Sequence, residues 1–567
     1  MAEKEIGMGP AFHPAGHLFA TIRRPATGVR DDRTHFIFAT LFLIIACQVW
    51  LIFEKAINWD EFLHFGQIYE LADGRLGSSI QTLPTRLFGW ATLVSQDVVT
   101  QIQAIRIVML ACAVFTAASI IAFARRLAGL EIALICGLVY LTAGFVFTNA
   151  FTFRTDPVVA AALMAALCVF AFGQLTWMRA ALVGILVGLA GALTIKSIFY
   201  LPCFAAIAWL HWHGRDVRRM KLFILFCTVP AVSLAVFILL IALHGAGLPA
   251  SEPQASNLGR SVGNFLHFFE FEQIRYVFAE AIFAPLVTIG LMMLPFVARG
   301  LPKQTKILLF GLCGPLLCLL FYRNTFPYFF TFILPPVCVA IAPALSMLVT
   351  RYGRIPVVIF AMFGPFFLLT QEPYGTLGRQ RATIEEVERL FPDSTPYLSY
   401  SNYIPQYPRQ FPSLISGVGL RRYWEERNGE IARDIEAGRI GFVIATGDAL
   451  DAVYKSEGSA SLLPETDVTA LRTNFLQYSD TIFILGRRVC AKDGEQIVQI
   501  FRSGPYSLDG SDLVINDRSI ADGSTINLQA GIYNVRHKAG SCVKLWALDH
   551  VPHLPEQFPA GPIAGGF

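Results

Sequence analysis

Charged residues are scarce in this chain of 567 residues. Only 15% are Asp, Glu, Lys or Arg, while 54% are hydrophobic and the mean hydropathy is +0.53. Soluble globular proteins carry roughly 25% charged residues, so a single soluble domain is excluded. Intrinsic disorder is excluded by the low charge and the 47 Phe. The net charge is only +4, and the basic residues sit in short loops between apolar runs. That distribution is a topology signal and not the footprint of a nucleic-acid binder. No CxxC motif or Cys/His spacing of a zinc site is present. Cys47, Cys112, Cys136, Cys168, Cys203, Cys227, Cys313, Cys318 and Cys338 lie in or beside apolar runs, where thiols pack as small apolar groups. Only Cys490 and Cys542 fall in the polar C-terminal part; one disulfide between them is allowed, though nothing local demands it. No repeat or low-complexity block is evident. No cleavable signal peptide is visible either, because the first apolar run starts near residue 36 and is too long for a signal core.

What the chain has instead is long apolar runs, nearly all within residues 1–370. A membrane helix needs about 20 mostly apolar residues. Eleven segments qualify: 36–53, 103–124, 130–149, 157–176, 179–195, 197–212, 221–245, 276–298, 305–322, 327–350 and 355–370. The short basic loops fix an orientation. Arg23, Arg24, Arg30 and Arg33 precede the first span; Arg125 and Arg126 follow the second; Arg179 follows the fourth. Arg215, Arg218, Arg219 and Lys221 follow the sixth, Arg299, Lys303 and Lys306 the eighth, and Arg351 and Arg354 the tenth. With eleven spans all of these fall on one side, so the N-terminus is expected to be cytoplasmic and the C-terminal part external.

The external loops carry a different set of residues. Asn58-Trp59-Asp60-Glu61 follows the first span, and FLHFGQIYELADG after it has helical apolar spacing, which predicts an amphipathic helix lying in the membrane interface. Leu83-Pro84-Thr85-Arg86 comes next in the same loop. The later external loops hold Phe153-Arg154-Thr155-Asp156-Pro157, then Thr194-Ile195-Lys196-Ser197, then a long stretch ending in NFLHFFEFEQIRY, then Tyr322-Arg323-Asn324-Thr325-Phe326-Pro327-Tyr328. Ionisable groups at the membrane boundary are expensive and tend to mark substrate paths. Singly, each has a structural use: an acid at a helix start, an Arg–Asp pair, a snorkelling Lys or Arg. Four such ends on one side point to a site.

These residues resemble the GT-C glycosyltransferases, and within them the protein O-mannosyltransferases and the lipid A aminoarabinose transferase. Asn58-Trp59-Asp60-Glu61 is similar to the acidic first-loop motif, Phe153 to Pro157 resembles the second-loop motif, and Leu193-Thr194-Ile195-Lys196-Ser197 looks like the segment whose Lys meets the lipid phosphate. RNTFPYFFTFILPP, from Arg323 to Pro336, is similar to a late Tyr/Pro-rich stretch of the family. Leu83-Pro84-Thr85-Arg86 departs from the family's Pro-Pro-Leu stretch, and His64 and His267 do not match its metal-binding pattern. The resemblance covers residues 36–350. It implies a polytopic α-helical membrane protein of GT-C type that moves a sugar from a polyprenyl phosphate to an acceptor hydroxyl, with inversion, at the periplasmic face of a bacterial inner membrane. No nucleotide sugar is expected there, in keeping with the missing Rossmann glycine motif.

On that reading Asp60 is the base for the acceptor hydroxyl. Glu61 is the second acid and faces donor or acceptor; adjacent residues on a helix point about 100° apart, so the two do not share one job. Lys196, Arg323, Arg154 and Arg86 are the candidate cations for the leaving phosphate, with Tyr328 in the same binding set. Asp156 orients Arg154 or the sugar, or holds a divalent metal together with Asp60; orientation is preferred, since two carboxylates make a weak metal site. The sugar and the acceptor are left open. Two other classes compete: a transporter or flippase of lipid-linked sugars, and a polysaccharide polymerase or ligase. Transporters usually show paired broken helices near the midplane, whereas here the ionisable groups sit at the external helix ends with few at mid-span.

Four parts are expected: a tail 1–35, the membrane domain 36–370, an external α/β domain 371–489 and a β-rich module 490–567. TIEEVERLF and YWEERNGEIARDIEAG read as helices, the second ending at Gly438, and RIGFVIAT and DTIFILGRRV as strands. Short strands with turns at Asp509-Gly510, Asp522-Gly523 and Ala539-Gly540 follow, suggesting a small sandwich or roll. Tyr423, Trp424, Tyr506 and Trp546 are read as packing residues before sugar-binding ones.

Overall fold

A computed structural model describes residues 32–79, 81–213, 219–249, 273–411, 417–426, 429–455, 462–490, 495–537, 542–561 and 563–565. The segment containing His267 and the FFEF aromatics lies outside the described residues, as do Arg215 and Arg218.

Each of the eleven apolar segments folds as a helix or a helix pair. Five helices are long and apolar enough to cross a membrane: Thr34–Glu54, Val98–Ala128, Ile195–Trp212, Arg219–Gly245 and Arg354–Gln371. Three more crossings arise if each bent pair is one span: Ile274–Phe283 with Pro285–Ala298 (93°), Lys303–Leu312 with Gly314–Leu320 (44°), and Phe329–Ala340 with Ala342–Tyr352 (65°). Leu130–Thr142, Thr155–Ala171 and Trp177–Leu193 are shorter apolar helices. So among the described residues length and composition support five to eight crossings, and the uniform spans expected from hydropathy are broken at residues 284, 313 and 341. A Pro stands at the first or second position of the helix after each break (Pro285, Pro315, Pro343), where its missing N–H costs nothing and its ring blocks continuation of the preceding helix. The helices pack through small residues. A Cβ on Gly184 or Gly188 would collide with Val232 or the Ser233 carbonyl of the helix Arg219–Gly245, so glycines one turn apart let two backbones touch.

The two ends of the bundle differ in chemistry. At one end Arg179 donates to the Phe172 carbonyl, Arg126 lies 5.3 Å from the Phe172 ring, and Arg354 pairs with Glu131 at 3.6 Å. The opposite end carries the loops after residues 54, 150 and 193, and the larger of two C-terminal sheets packs on it.

Those sheets use twelve strands: β1 Tyr397–Ser399, β2 Arg409–Gln410, β3 Phe442–Ile444, β4 Phe475–Gln477, β5 Ile482–Val489, β6 Glu495–Ile500, β7 Gly504–Asp509, β8 Leu513–Ile515, β9 Arg518–Ile520, β10 Thr525–Leu528, β11 Gly531–Arg536 and β12 Val543–Trp546. One sheet runs β10-β7-β12-β5-β3-β1-β2, with β4 also on β5; the other runs β6-β11-β8-β9. Residue 490 therefore divides the region in chain order and not in pairing, because β12 lies beside β5 with Val543 opposite Val489. Next to that pair Cys490 and Cys542 are joined in a disulfide, with Cα atoms 4.3 Å apart. The helix expected to run unbroken to Gly438 is two, Gly417–Glu426 and Glu430–Glu436, split before Gly429, which adopts a left-handed φ of 77°. Tyr423, Tyr506 and Trp546 are core residues; Trp424 is exposed, with its indole N–H on the Leu462 carbonyl at 2.9 Å.

The first-loop helix Trp59–Ala72 does not lie on a lipid surface as its amphipathic pattern suggested. Its apolar face, Phe62, Phe65 and Ile68, is buried in one cluster with Ile102, Ile105 and Met109 of the bundle and with Ile384, Tyr397, Tyr403 and Phe442 of the C-terminal region. The same periodicity serves a protein–protein seam as well as an interface. Gly66 makes the seam close: a Cβ there would overlap the Asn402 amide.

Candidate functional site

The site is built on the start of that helix. Asn58 is its N-cap, accepting from the Asp60 and Glu61 N–H groups at 3.0 and 3.1 Å, and Glu61 returns a bond to the Asn58 N–H at 3.1 Å. This capping box fixes where both acids point. Three contacts from the C-terminal region hold the turn before it. Gln380 accepts from the Ile57 N–H and donates to the Ile57 carbonyl (2.9 and 2.7 Å), Ser401 donates to the Trp59 carbonyl (2.7 Å), and Asn58 bridges to Gly565 in parallel register.

The adjacent acids have different surroundings. Glu61 is fully buried and its carboxylate is saturated. It accepts from Arg106 Nε (2.8 Å) and Nη2 (2.6 Å), from the Phe153 N–H (2.8 Å) and from Asn58. Arg106, equally buried, also donates to the carbonyls of Ile52, Lys55 and Ala56 at the end of the first helix. One guanidinium thus ties the exit of the first helix to the entry of the next, and Glu61 positions the Phe153–Asp156 turn. Sequence reasoning missed Arg106, which sits in the first turns of an apolar run where an Arg reads as a boundary charge.

Asp60 instead faces the second external loop. Arg154 Nη1 pairs with Asp60, Arg154 Nε meets Asp156 at 3.3 Å, and Lys196 takes the other Asp156 oxygen. The Tyr328 ring lies 3.1 Å from the Arg154 guanidinium carbon, and Lys196 Nζ is 5.8 Å from the same ring and 5.5 Å from Phe329. Asp60, Arg154, Asp156, Lys196 and Tyr328, from four separate loops, form one row of alternating charge roofed by an aromatic ring. All but Lys196 are buried, and Lys196 is nearly so, at 11% side-chain exposure. Two cations in so dry a place interact strongly with any anion they meet. One turn beyond Asp60, the half-buried His64 lies against Phe153, ring centroids 6.3 Å apart; burial lowers its imidazole below the usual histidine range.

Two sequence candidates sit elsewhere. Arg86 donates to His244 Nδ1 (2.9 Å) and to the His244 and Ala246 carbonyls (3.0 and 3.3 Å), so its guanidinium clasps the end of the helix Arg219–Gly245. Arg323 is half-buried in the loop that supplies Tyr328. The pairing of Asp60 and Asp156 as metal ligands does not fit this arrangement. The guanidinium of Arg154 fills the position between the two carboxylates, and Lys196 takes the remaining Asp156 oxygen. Among the described residues no group of three or more His, Cys, Asp or Glu is placed to hold a metal.

No protein-family model matches the chain, and no curated protein matches it in sequence. Solved structures do match, among them two oligosaccharyltransferases and an arabinosyltransferase. The chain is similar to the archaeal oligosaccharyltransferase AglB of Archaeoglobus fulgidus in complex with an inhibitory peptide and a dolichol-phosphate (11% identity, 72% of this chain and 69% of that one, TM-score 0.44). It is also similar to an Archaeoglobus fulgidus oligosaccharyltransferase complexed with Zn and sulfate (10% identity, 90% and 96% covered, TM-score 0.46). A third is the arabinosyltransferase EmbB of Mycobacterium smegmatis (11% identity, 95% and 67% covered, TM-score 0.41). None of the three is an O-mannosyltransferase or an aminoarabinose transferase.

Proposed function

We propose that this chain is an inverting glycosyltransferase that moves a sugar from a polyprenyl phosphate to an acceptor hydroxyl, at the membrane face bearing the C-terminal sheets, the periplasmic face of a bacterial inner membrane. The supporting observation is the row Asp60–Arg154–Asp156–Lys196 under Tyr328: one carboxylate able to take a proton, beside two buried cations suited to a leaving phosphate. Asp60 takes the acceptor's proton as its oxygen attacks the anomeric carbon. Arg154 and Lys196 stabilise the negative charge that grows on the departing lipid phosphate. Asp156 holds both cations in place until phosphate competes for them. Arg323 is a further phosphate partner from the Tyr328 loop. Glu61 and Arg86 serve positioning roles, and the C-terminal sheets shape the approach of the acceptor. One base and one leaving group make a single displacement, hence inversion.

The test is transfer from a panel of radiolabelled polyprenyl-phosphate sugars, comparing wild type with Asp60→Asn and Lys196→Ala. We expect one donor to be consumed by wild type only, with Lys196→Ala weakening donor use by about 10–100-fold, the value of a charge-assisted phosphate bond. Equal consumption by Asp60→Asn overturns the role of Asp60. A transporter of the same lipids is the second reading. It is favoured by the three bent helix pairs and by Glu280, buried one turn before the 93° bend with Oε2 on the Phe145 N–H at 2.6 Å. Movement of the labelled lipid across liposomes without turnover would put that reading first.

A further inference from the structure

Resting on the transferase reading, one residue that it leaves idle acquires a role. The site row gives Asp60 a guanidinium partner, Arg154. Any proton Asp60 takes must be passed on before the next turnover. His64 stands where a receiver is needed. It follows Asp60 by four residues, so both side chains leave the same face of the helix one turn apart. Its ring lies against Phe153, the residue next to Arg154. Gln67, three residues further along the same helix, engages the imidazole by hydrogen bond.

We propose that His64 carries the acceptor's proton from Asp60 to solvent. The acceptor O–H breaks as its oxygen bonds to the anomeric carbon, and the electron pair of the old anomeric C–O bond leaves with the lipid phosphate. The proton goes to the Asp60 carboxylate, then to a ring nitrogen of His64, then to water. The charged groups around His64 are Asp60 and Glu61 on its own helix, Arg106 behind Glu61, Arg154 and Asp156 on the second loop, and Lys196 on the third. Burial, helped by Lys196, outweighs the Gln67 bond and the acids Asp156 and Glu61 and lowers the imidazole below its ordinary range, so the neutral ring is ready to accept.

The test uses the full-length chain and the labelled donor that wild type consumes, with His64→Ala and His64→Gln followed from about pH 5 to pH 9 with and without free imidazole. General acid–base steps contribute on the order of 10²–10⁴ in rate, and a second carrier with water as substitute sits at the low end. We expect His64→Ala to lower kcat about 10–100-fold with donor KM unchanged, the deficit to shrink as pH rises, and imidazole to restore turnover. His64→Gln keeps the bond to Gln67 and should show the same kcat loss with the wild-type melting temperature. Wild-type kcat in either variant overturns the proposal, and so does a loss that neither imidazole nor alkaline pH relieves. Full turnover by Asp60→Asn would instead sink the underlying reading of the site, whatever His64 does.

Discussion

Replacing Glu61 by Gln and, separately, Asp60 by Asn asks whether two neighbouring carboxylates divide stability and chemistry between them. Glu61 and Arg106 are both 0% exposed, and four donors converge on the Glu61 carboxylate. Removing one member of a buried ion pair costs about 3–5 kcal/mol, because the remaining charge is left uncompensated. Arg106 keeps three carbonyl partners, which places Glu61→Gln at the low end, about 3 kcal/mol. At about 2.1 cal/mol/K per residue over 567 residues, the melting temperature should fall by roughly 2–3 °C. Asp60→Asn leaves Arg154 with Asp156 and Tyr328, so its cost is nearer 1 kcal/mol, roughly that of one lost bond. The assay is apparent melting in detergent at one fixed scan rate, since membrane proteins unfold irreversibly, alongside turnover per folded molecule. Adding Arg106→Gln to Glu61→Gln should recover part of the lost melting temperature, as expected of coupled partners. The reasoning fails if Glu61→Gln melts like wild type, or if Asp60→Asn loses as much stability while keeping its turnover.

The Tyr328 ring over Arg154 should behave as an aromatic roof and not as a proton donor. Tyr328→Phe is expected to stay within about threefold of wild type in donor kcat/KM, and Tyr328→Ala to lose roughly 30-fold, the worth of a desolvated cation–π contact. Glu70 should give a pH-dependent stability signature. Burial pushes its carboxyl above the ordinary carboxylate range, against a smaller pull downward from Arg409 and Arg75. The folded chain then holds that proton more tightly than the unfolded one, so the associated stability is present at low pH and is lost as pH rises through the raised value. Glu70→Gln should therefore raise the melting temperature at pH 7 and leave it unchanged near pH 4; a lower melting temperature at pH 7 would show that attraction to Arg409 and Arg75 prevails over burial.

The positions of the helices were legible because a long apolar run has few other uses. The four loops that meet were legible because charge at a helix end is costly enough to be noticed. Which charges pair was not legible. Arg154 reads as bonded to Asp156 two residues away, yet it also spans to Asp60, a partner supplied only by the fold. Glu61 reads as a second acid facing donor or acceptor, and only the arrival of Arg106 from another helix shows it saturated. The helix breaks at 284, 313 and 341 did leave a mark in Pro285, Pro315 and Pro343, but an apolar run with a proline inside it averages to the same hydropathy as an unbroken one. The amphipathic stripe of Trp59–Ala72 was read correctly as periodicity and wrongly as to what covers it, since lipid and a β-sheet satisfy Phe62 and Phe65 alike.

The stitching of Ile57 and Asn58 to Gln380, Ile563 and Gly565 has a consequence for biosynthesis. The loop that carries Asp60 is made 323 residues before Gln380, the first of the groups that brace it. Contacts so far apart in the chain form slowly, because long closures must be found before they are rewarded. Until the sheet folds and docks, a nascent chain with every helix inserted covers Phe62, Phe65 and Ile68 only from the bundle side, with Ile102, Ile105 and Met109. A chain that stops before residue 397 lacks Tyr397, Tyr403 and Phe442 and keeps that stripe only half covered, the kind of exposed apolar surface that makes an incomplete fold prone to aggregate.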